Sequence, residues 1–348
     1  MSPLHSVSQM NLPSPRLIDP FAVRSLRWGI LGPGAIAESW AHTVLANTGQ
    51  RISAIASHTP GRAEAFASRF SVPVALTRYE ELVARDDVDA VYIANQPNDH
   101  AAVALLALEA GKPVLVEKPF TKNVEEAERV FARGRELGLL VMEAMWTRYL
   151  PQMDVARQLL EQGVLGEPQL LLASFCEDNR SVARMWHKAH GSPLWDMGIY
   201  PIALSQMFLG EPETIVAHGT VLDNGVDAES TTELGYANGA RAVFTVSGIA
   251  SAPLHASLSG EEGVLEFGDP FIFPTSVGLA PKGIGEAMTW WTDESGVTRH
   301  QGLAYQVTAF ADYLGRGLLE SPLQSHADSL ACLRVSAEIT RQIGADPY

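Results

Sequence analysis

The sequence predicts an α/β protein in two parts. A doubly wound parallel sheet comes first, then an α+β domain built on a large open antiparallel sheet. Three observations carry this. A short apolar run, Trp28-Gly29-Ile30-Leu31, ends in Gly32-Pro33-Gly34 and passes at once into a helix-compatible run. Apolar, β-branched runs then alternate with helical stretches as far as Glu143, the grammar of parallel βαβ units. Beyond Leu165 the pattern changes to strands separated by polar or Gly-rich turns.

The first strand is Arg27–Leu31. In the turn after it, Gly32 permits the tight bend and Gly34 lets backbone approach a pyrophosphate. Ala37, the third small residue, lets helix and strand pack closely. The helix through Ala35 and Ile36 runs to about Ala46 and aims free N–H groups and a positive dipole end at phosphates. This is a dinucleotide-binding, Rossmann-type unit.

The second strand, Arg51–Ser57, lacks the carboxylate that holds a ribose 2′-hydroxyl in NAD-preferring enzymes. No Asp or Glu occurs between Glu38 and Glu64. The strand ends instead in Ser57-His58-Thr59-Pro60-Gly61-Arg62. A hydroxyl, an imidazole and a guanidinium suit a 2′-phosphate, which Arg can bind through two parallel hydrogen bonds. The expected cofactor is therefore NADP in preference to NAD.

A helix over Arg62–Phe70, a short strand near Ser71–Ala75 and a helical turn or two at Tyr79–Ala84 follow. Val88–Ala94 reads as a buried parallel strand that ends in Asn95-Gln96-Pro97-Asn98-Asp99-His100. After a helix over Ala101–Ala110, the strand Lys112–Val116 ends in Glu117-Lys118-Pro119. Asn123 and Glu126 form a capping box for a helix to Leu137. Leu139–Glu143 is a further strand, and the stretch with Trp146 and Arg148 leads out of the sheet. Ligands of such sheets sit beyond the carboxyl ends of the strands, where Gly32, Ser57, Pro97 and Lys118 all fall. Asn95, Pro97, Asn98, His100, Glu117 and Lys118 are thus expected to line the cofactor site, with Trp146 and Arg148 at its rim.

The second half opens with a helix over Pro151–Gly163 and a strand from Leu165 to about Cys176. A helix near Ile199–Leu209 precedes strands at Thr214–Val221, Ser230–Tyr236, Ala240–Gly248, Pro253–Gly260 and Gly263–Phe267. Amphipathic helices over Gln301–Gly315 and His326–Ile343 close the chain. The expected division is a leader without fixed structure at 1–26, a dinucleotide domain at 27–146, and a substrate-binding and oligomerisation domain at 147–348.

The 348 residues carry a net charge of −15, which argues against a nucleic-acid partner, and no apolar run is long enough to span a bilayer. Two cysteines far apart make neither a disulfide framework nor a zinc site, so a reducing, cytoplasmic setting is expected.

At Glu117-Lys118-Pro119 the chain resembles the Gfo/Idh/MocA family, named for glucose–fructose oxidoreductase and inositol dehydrogenase. The Gly32 turn, Pro97-Asn98 with His100, and Trp195-Asp196-Met197-Gly198-Ile199-Tyr200 match in order. Met142-Glu143-Ala144-Met145-Trp146-Thr147-Arg148 and the Asp196/Tyr200 pair resemble the branch of dimeric dihydrodiol dehydrogenases and NADP-linked D-xylose dehydrogenases. Two departures stand out. His190-Gly191-Ser192-Pro193-Leu194 replaces a Gly-Gly-Gly-type run, which implies a stiffer loop facing the substrate. Tyr200 replaces a His four residues after the Asp, which excludes an Asp–His dyad.

The resemblance implies hydride transfer between a nicotinamide and a carbon of a sugar, polyol or cyclic diol. Tyr200 is the candidate acid/base. A free phenol ionises near 10, and a cation within about 4–6 Å lowers that value; Lys118 is the candidate cation. The reverse division, with Lys118 as base and Tyr200 as orienter, stays open. Asp196 would grip a second hydroxyl, and Arg184 and His187 would line the substrate site. Asp196 and Tyr200 share a face if the segment is helical, although Pro201 fits only near a helix start. Trp290-Trp291 reads as core or interface. A homodimer or larger homo-oligomer through the open sheet is also implied. The competing function is a non-catalytic NAD(P)-binding sensor with the same fold; a nucleotide-sugar-modifying enzyme is a third.

Overall fold

The computed structural model describes residues 11–187 and 191–346. They fall into two units. One comprises residues 18–146 and 300–334; the other comprises 11–17, 147–299 and 335–346.

The first unit holds β1 (Arg27–Leu31), α1 (Ala35–Asn47), β2 (Arg51–Ala56), α2 (Arg62–Phe70), β3 (Val74–Leu76), α3 (Tyr79–Val83), β4 (Ala90–Ile93), α4 (His100–Glu109), β5 (Val114–Val116), α5 (Val124–Leu137) and β6 (Val141–Glu143). The strands are all parallel and lie in the order β3-β2-β1-β4-β5-β6. Every residue of β4, β5 and β6 is buried, as expected of a sheet covered on both faces. Asn123 caps α5 by accepting from Glu126 N–H at 2.9 Å, while the Glu126 carboxylate pairs with Lys122 at 3.0 Å.

The second unit begins with α6 (Pro151–Glu161), β7 (Pro168–Cys176) and α7 (Ile199–Leu209). Its other strands are β8 (Thr214–Val221), β9 (Asp227–Gly235), β10 (Arg241–Ser247), β11 (Ala256–Gly260), β12 (Gly263–Phe267), β13 (Ser276–Pro281) and β14 (Thr289–Thr292). The eight strands form one sheet in the order β14-β13-β12-β11-β7-β10-β9-β8. It is antiparallel except for β7 beside β10, which pair parallel over seven residues. Burial alternates along β9, β10 and β12, so one face is packed and the other is not. The strand registers place Val216, Glu233, Val243, Leu172, Ser257, Glu266, Gly278 and Trp290 in one row across that second face. Val216, Leu172 and Trp290 are 51%, 43% and 47% exposed.

Two features differ from the sequence reading. Residues 300–334, expected in the second domain, cluster with the first unit. They include α8 (Leu303–Gly315), whose Phe310 ring lies 4.9 Å from Trp28, and His300, whose carbonyl accepts from Thr43. The closing helix α9 (His326–Ile343) contributes to both units. The second difference lies in the expected leader, of which residues 1–10 fall outside the described residues. Arg16 binds both Asp154 (2.9 Å) and Glu161 (3.0 Å) on α6, and Gln158 donates to the Ser14 carbonyl. One guanidinium has five donors in a fixed fork, enough to hold two carboxylates. Farther on, Leu26 is fully buried and its N–H binds Gln50.

Candidate active site

In the first unit the expected cofactor residues converge on the carboxyl ends of the parallel strands. Gly32 has φ +99°, and a Cβ there would come within 2.6 Å of the Asn95 nitrogen, so this position requires glycine. Gly34 is different. Its backbone is extended, and a Cβ would meet only the Ala94 carbonyl, at 3.7 Å. The surrounding protein therefore leaves space above Gly34, as a backbone approached by a pyrophosphate requires. Gly34 also caps α1, whose first turn holds Ala35 and Ile36. The N–H groups of that turn have no partner within the helix.

At the end of β2, Arg62 reaches back and donates to the Pro33 carbonyl at 3.1 Å, which holds its guanidinium beside the Gly-rich turn. Ser57 is buried, and its hydroxyl accepts from Thr59 N–H. The His58 ring lies 4.0 Å from Tyr79 and contacts the Thr77 carbonyl. At the end of β4, the Asn95 side-chain oxygen is buried and has no hydrogen-bond partner among the described residues. An orphaned acceptor at the mouth of the Gly-rich turn fits a missing donor such as a ribose hydroxyl. Pro97 and Asn98 form a short 3₁₀ turn that leads into α4.

His100 and Glu117 were expected against the cofactor, and the structure gives them inward-facing partners. His100 is 1% exposed, and its ring nitrogens lie 3.0 Å from the Pro119 carbonyl and 3.3 Å from the Asn95 carbonyl. It ties together the loops that carry Asn95 and Lys118. Burial lowers the pKa of His100 against the pull of those carbonyls. Glu117 accepts from the Tyr92 hydroxyl at 2.6 Å and braces the strand end. Lys118 is half-exposed, after β5, and its bond to Pro119 is cis. Trp146 is buried and stacks on His300 at 5.8 Å. Arg148, expected at a pocket rim, is 4% exposed, and its carbonyl accepts from Arg157.

The second unit carries the remaining candidates. A 3₁₀ turn over Ala183–Trp186 presents Arg184, and His187 follows it, exposed. Arg184 donates to Asp196 at 2.8 Å. Asp196 sits in a single π-turn, Leu194–Gly198, that runs into α7. π-Turns bond i to i+5 and recur at functional sites. Tyr200 is the second residue of α7 and Pro201 the third, so Pro201 falls just after the junction where π winding gives way to α winding. Tyr200 is 8% exposed, with its ring 5.6 Å from Phe175. The Trp195 indole anchors the π-turn by donating to Thr340 at 3.1 Å. Of the run replacing the glycines, His190 lies outside the described residues.

The sequence reading missed Asp227, the buried first residue of β9, which accepts from Leu194 N–H at 2.8 Å. Its one sequence signal is an acid between Val226 and Ala228, at the start of a half-buried strand. Among the described residues no three His, Cys, Asp or Glu side chains gather as for a metal, and no helix is long and apolar enough to cross a membrane.

Comparison with known proteins agrees with this layout. Residues 26–145 match the GFO/IDH/MocA family, described as an oxidoreductase family with an NAD-binding Rossmann fold, and residues 153–266 match the GFO/IDH/MocA C-terminal domain. The chain is 33% identical to trans-1,2-dihydrobenzene-1,2-diol dehydrogenase of Sus scrofa and 34% identical to that of Bos taurus. Each alignment spans 92% of this chain and 97% of the relative. It is 29% identical to a 3-ketoreductase from Actinomadura kijaniata solved with TDP-benzene and NADP, with a TM-score of 0.78 over 93% of this chain and 99% of that one. Levoglucosan dehydrogenase with NADH and levoglucosan shares the fold at a TM-score of 0.82 and 19% identity, over 92% and 97% of the two chains. On these matches and this architecture, the chain belongs to the GFO/IDH/MocA family of NAD-binding oxidoreductases.

Proposed function

We propose that this protein is an NADP-preferring dehydrogenase or reductase of sugars, polyols or cyclic diols, with Lys118 and Tyr200 as its acid–base pair. The observation that carries the reading is the retained set of polar groups. Lys118 stands at the carboxyl end of β5, on the edge where Rossmann sheets bind their cofactor, and Asp196 and Tyr200 occupy one π-to-α segment. A sensor of NADP would have little use for all three. The relatives named as dihydrodiol dehydrogenases and the NADP-bound ketoreductase support the same class of chemistry.

When bound, NADP accepts or donates the hydride. The chain's own groups manage the rest. In oxidation, the substrate hydroxyl loses its proton to Tyr200 as the hydride leaves the same carbon. Lys118 hydrogen-bonds the reacting oxygen and stabilises its charge. Asp196, paired with Arg184, accepts from a neighbouring substrate hydroxyl. Reduction runs the same steps in reverse. The cofactor fit rests on the space above Gly34, the orphaned Asn95 oxygen and Arg62 beside the turn.

Assembly belongs to the same proposal. The exposed apolar side chains of Val216, Leu172 and Trp290 on the unpacked sheet face, interspersed with Glu233 and Glu266, fit burial against a second copy. The working compartment is the cytoplasm, in keeping with the two free buried cysteines.

The test is Tyr200→Phe, which keeps the ring and removes the ionisable oxygen. With NADP and a panel of trans-1,2-dihydrobenzene-1,2-diol, D-xylose and D-glucose, turnover should fall by about 10²–10⁴-fold, the range for a positioned proton carrier. NADP affinity should hold. Full turnover in the Phe variant would remove Tyr200 from the chemistry.

A further inference from the structure

Asp227 is 3% exposed, and its carboxylate has neutral partners among the described residues. They are the Leu194 N–H at 2.8 Å, the Ser192 hydroxyl and its own backbone N–H. Burial pushes the carboxyl above its usual range, against the pull of these bonds. Taking an acid out of water is costly, and an apolar residue would fill the site more cheaply. What the acid holds is specific. Ser192 and Leu194 flank the entrance to the π-turn that carries Asp196. Asp196 N–H donates to the Ser192 carbonyl at 2.9 Å, and Trp195 N–H lies 3.4 Å from the Ser192 hydroxyl. Downstream, the Asp196 side chain is 22% exposed and bridged to Arg184.

We propose that Asp227 is a positioning residue. Through Ser192 and Leu194 it fixes the winding of the Leu194–Gly198 π-turn, and so the direction in which Asp196 presents its carboxylate to a substrate hydroxyl. Without those bonds the turn relaxes toward ordinary α winding, and Asp196 rotates relative to Tyr200. Asp227 itself, being buried, touches no substrate. The inference rests on the reading of Asp196 given above.

Asp227→Asn keeps size and an acceptor oxygen but removes the charge; Ser192→Ala removes one donor from the same carboxylate. Each is made in the wild-type chain and in Asp196→Asn. Kinetics are read with NADP and trans-1,2-dihydrobenzene-1,2-diol, and amide hydrogen exchange is followed over residues 191–200. The expected result is a rise in KM with a loss of about tenfold in kcat/KM, while the NADP Kd stays within about twofold. Exchange over 191–200 should accelerate, and exchange over the Gly32 turn should not. In Asp196→Asn the further loss should be under about twofold, because residues acting as one unit are not additive. A full additive loss in that background, or unchanged exchange over 191–200, overturns the proposal. If Asp196→Asn keeps full activity, or the diol is not oxidised, the substrate reading fails instead, and the exchange arm decides whether Asp227 holds the turn. If Asp227→Asn does not fold, Ser192→Ala carries the same criteria.

Discussion

Arg62→Ala tests the cofactor preference most sharply. Arg62 spends one N–H on the Pro33 carbonyl, and the other N–H groups of its guanidinium have no hydrogen-bond partner among the described residues. They are therefore available to a phosphate beside the turn. A hydrogen bond to a charged group contributes about 1.5–3 kcal/mol. At about 1.4 kcal/mol per decade this is a loss of about 12- to 140-fold in NADP affinity. NAD offers only a hydroxyl there, and the lost Pro33 contact bears on both cofactors alike, so NAD affinity should stay within about twofold of wild type. The assay is a pair of titrations, NADPH and NADH, followed by the change in protein fluorescence. The selectivity ratio should collapse while NADH binding stays nearly level. Equal losses for the two cofactors, or a wild-type protein that prefers NADH, would refute the reasoning.

Three further outcomes follow from the same geometry. Lys118→Met should abolish turnover, and combining it with Tyr200→Phe should add little, because a proton-transfer unit is lost only once; multiplicative losses in single-turnover rates would separate the two residues. Burial raises the Asp154 carboxyl, yet the hydrogen bonds from Arg16 together with the charge and hydrogen bond of Arg157 outweigh it, and the net pKa is depressed. Stability from this pair is thus fully present above the unfolded value near 4 and lost as pH falls through the folded one. The Tm gap between wild type and Arg16→Ala should be constant near neutrality and close in acid; a gap that widens below pH 4 would contradict this. In light scattering at micromolar concentration the protein should show at least twice the mass of one chain, and a single-chain mass would leave the sheet face without its proposed partner.

Local pattern made much of this protein legible. The all-apolar strands Ala90–Ile93 and Val114–Val116, and the helices between them, announce a buried parallel sheet, because a strand covered on both faces has no polar period. The end of β2 was readable for a similar reason, since the missing carboxylate is a property of a few adjacent residues. What escaped depends on contacts across long stretches of chain. Arg16 finds α6 from 138 residues away, in a segment with no periodicity to betray it. Asp227 meets Leu194 across 33 residues, and neither position looks unusual alone. The π-turn at Leu194–Gly198 was invisible because helix propensity does not distinguish one bonding register from another. His100 and Glu117 share the strand ends with Asn95 and Lys118, and their ties to the Pro119 carbonyl and the Tyr92 hydroxyl are contacts that the sequence pattern does not display.

The position of β7 bears on how the chain is made. It is the first strand of the second sheet to leave the ribosome, yet it sits inside that sheet, between β11 and β10. Its nearer partner begins only at Arg241, with residues 177–240 in between. At about 5–20 residues per second, synthesis leaves both edges of Pro168–Cys176 unpaired for about 3–13 seconds. With three consecutive leucines, Leu170, Leu171 and Leu172, such an edge is a template for pairing with neighbouring nascent chains. Expression yield should therefore depend on translation speed across residues 177–260 and on chaperones that shield extended segments, more than on the stability of the finished fold.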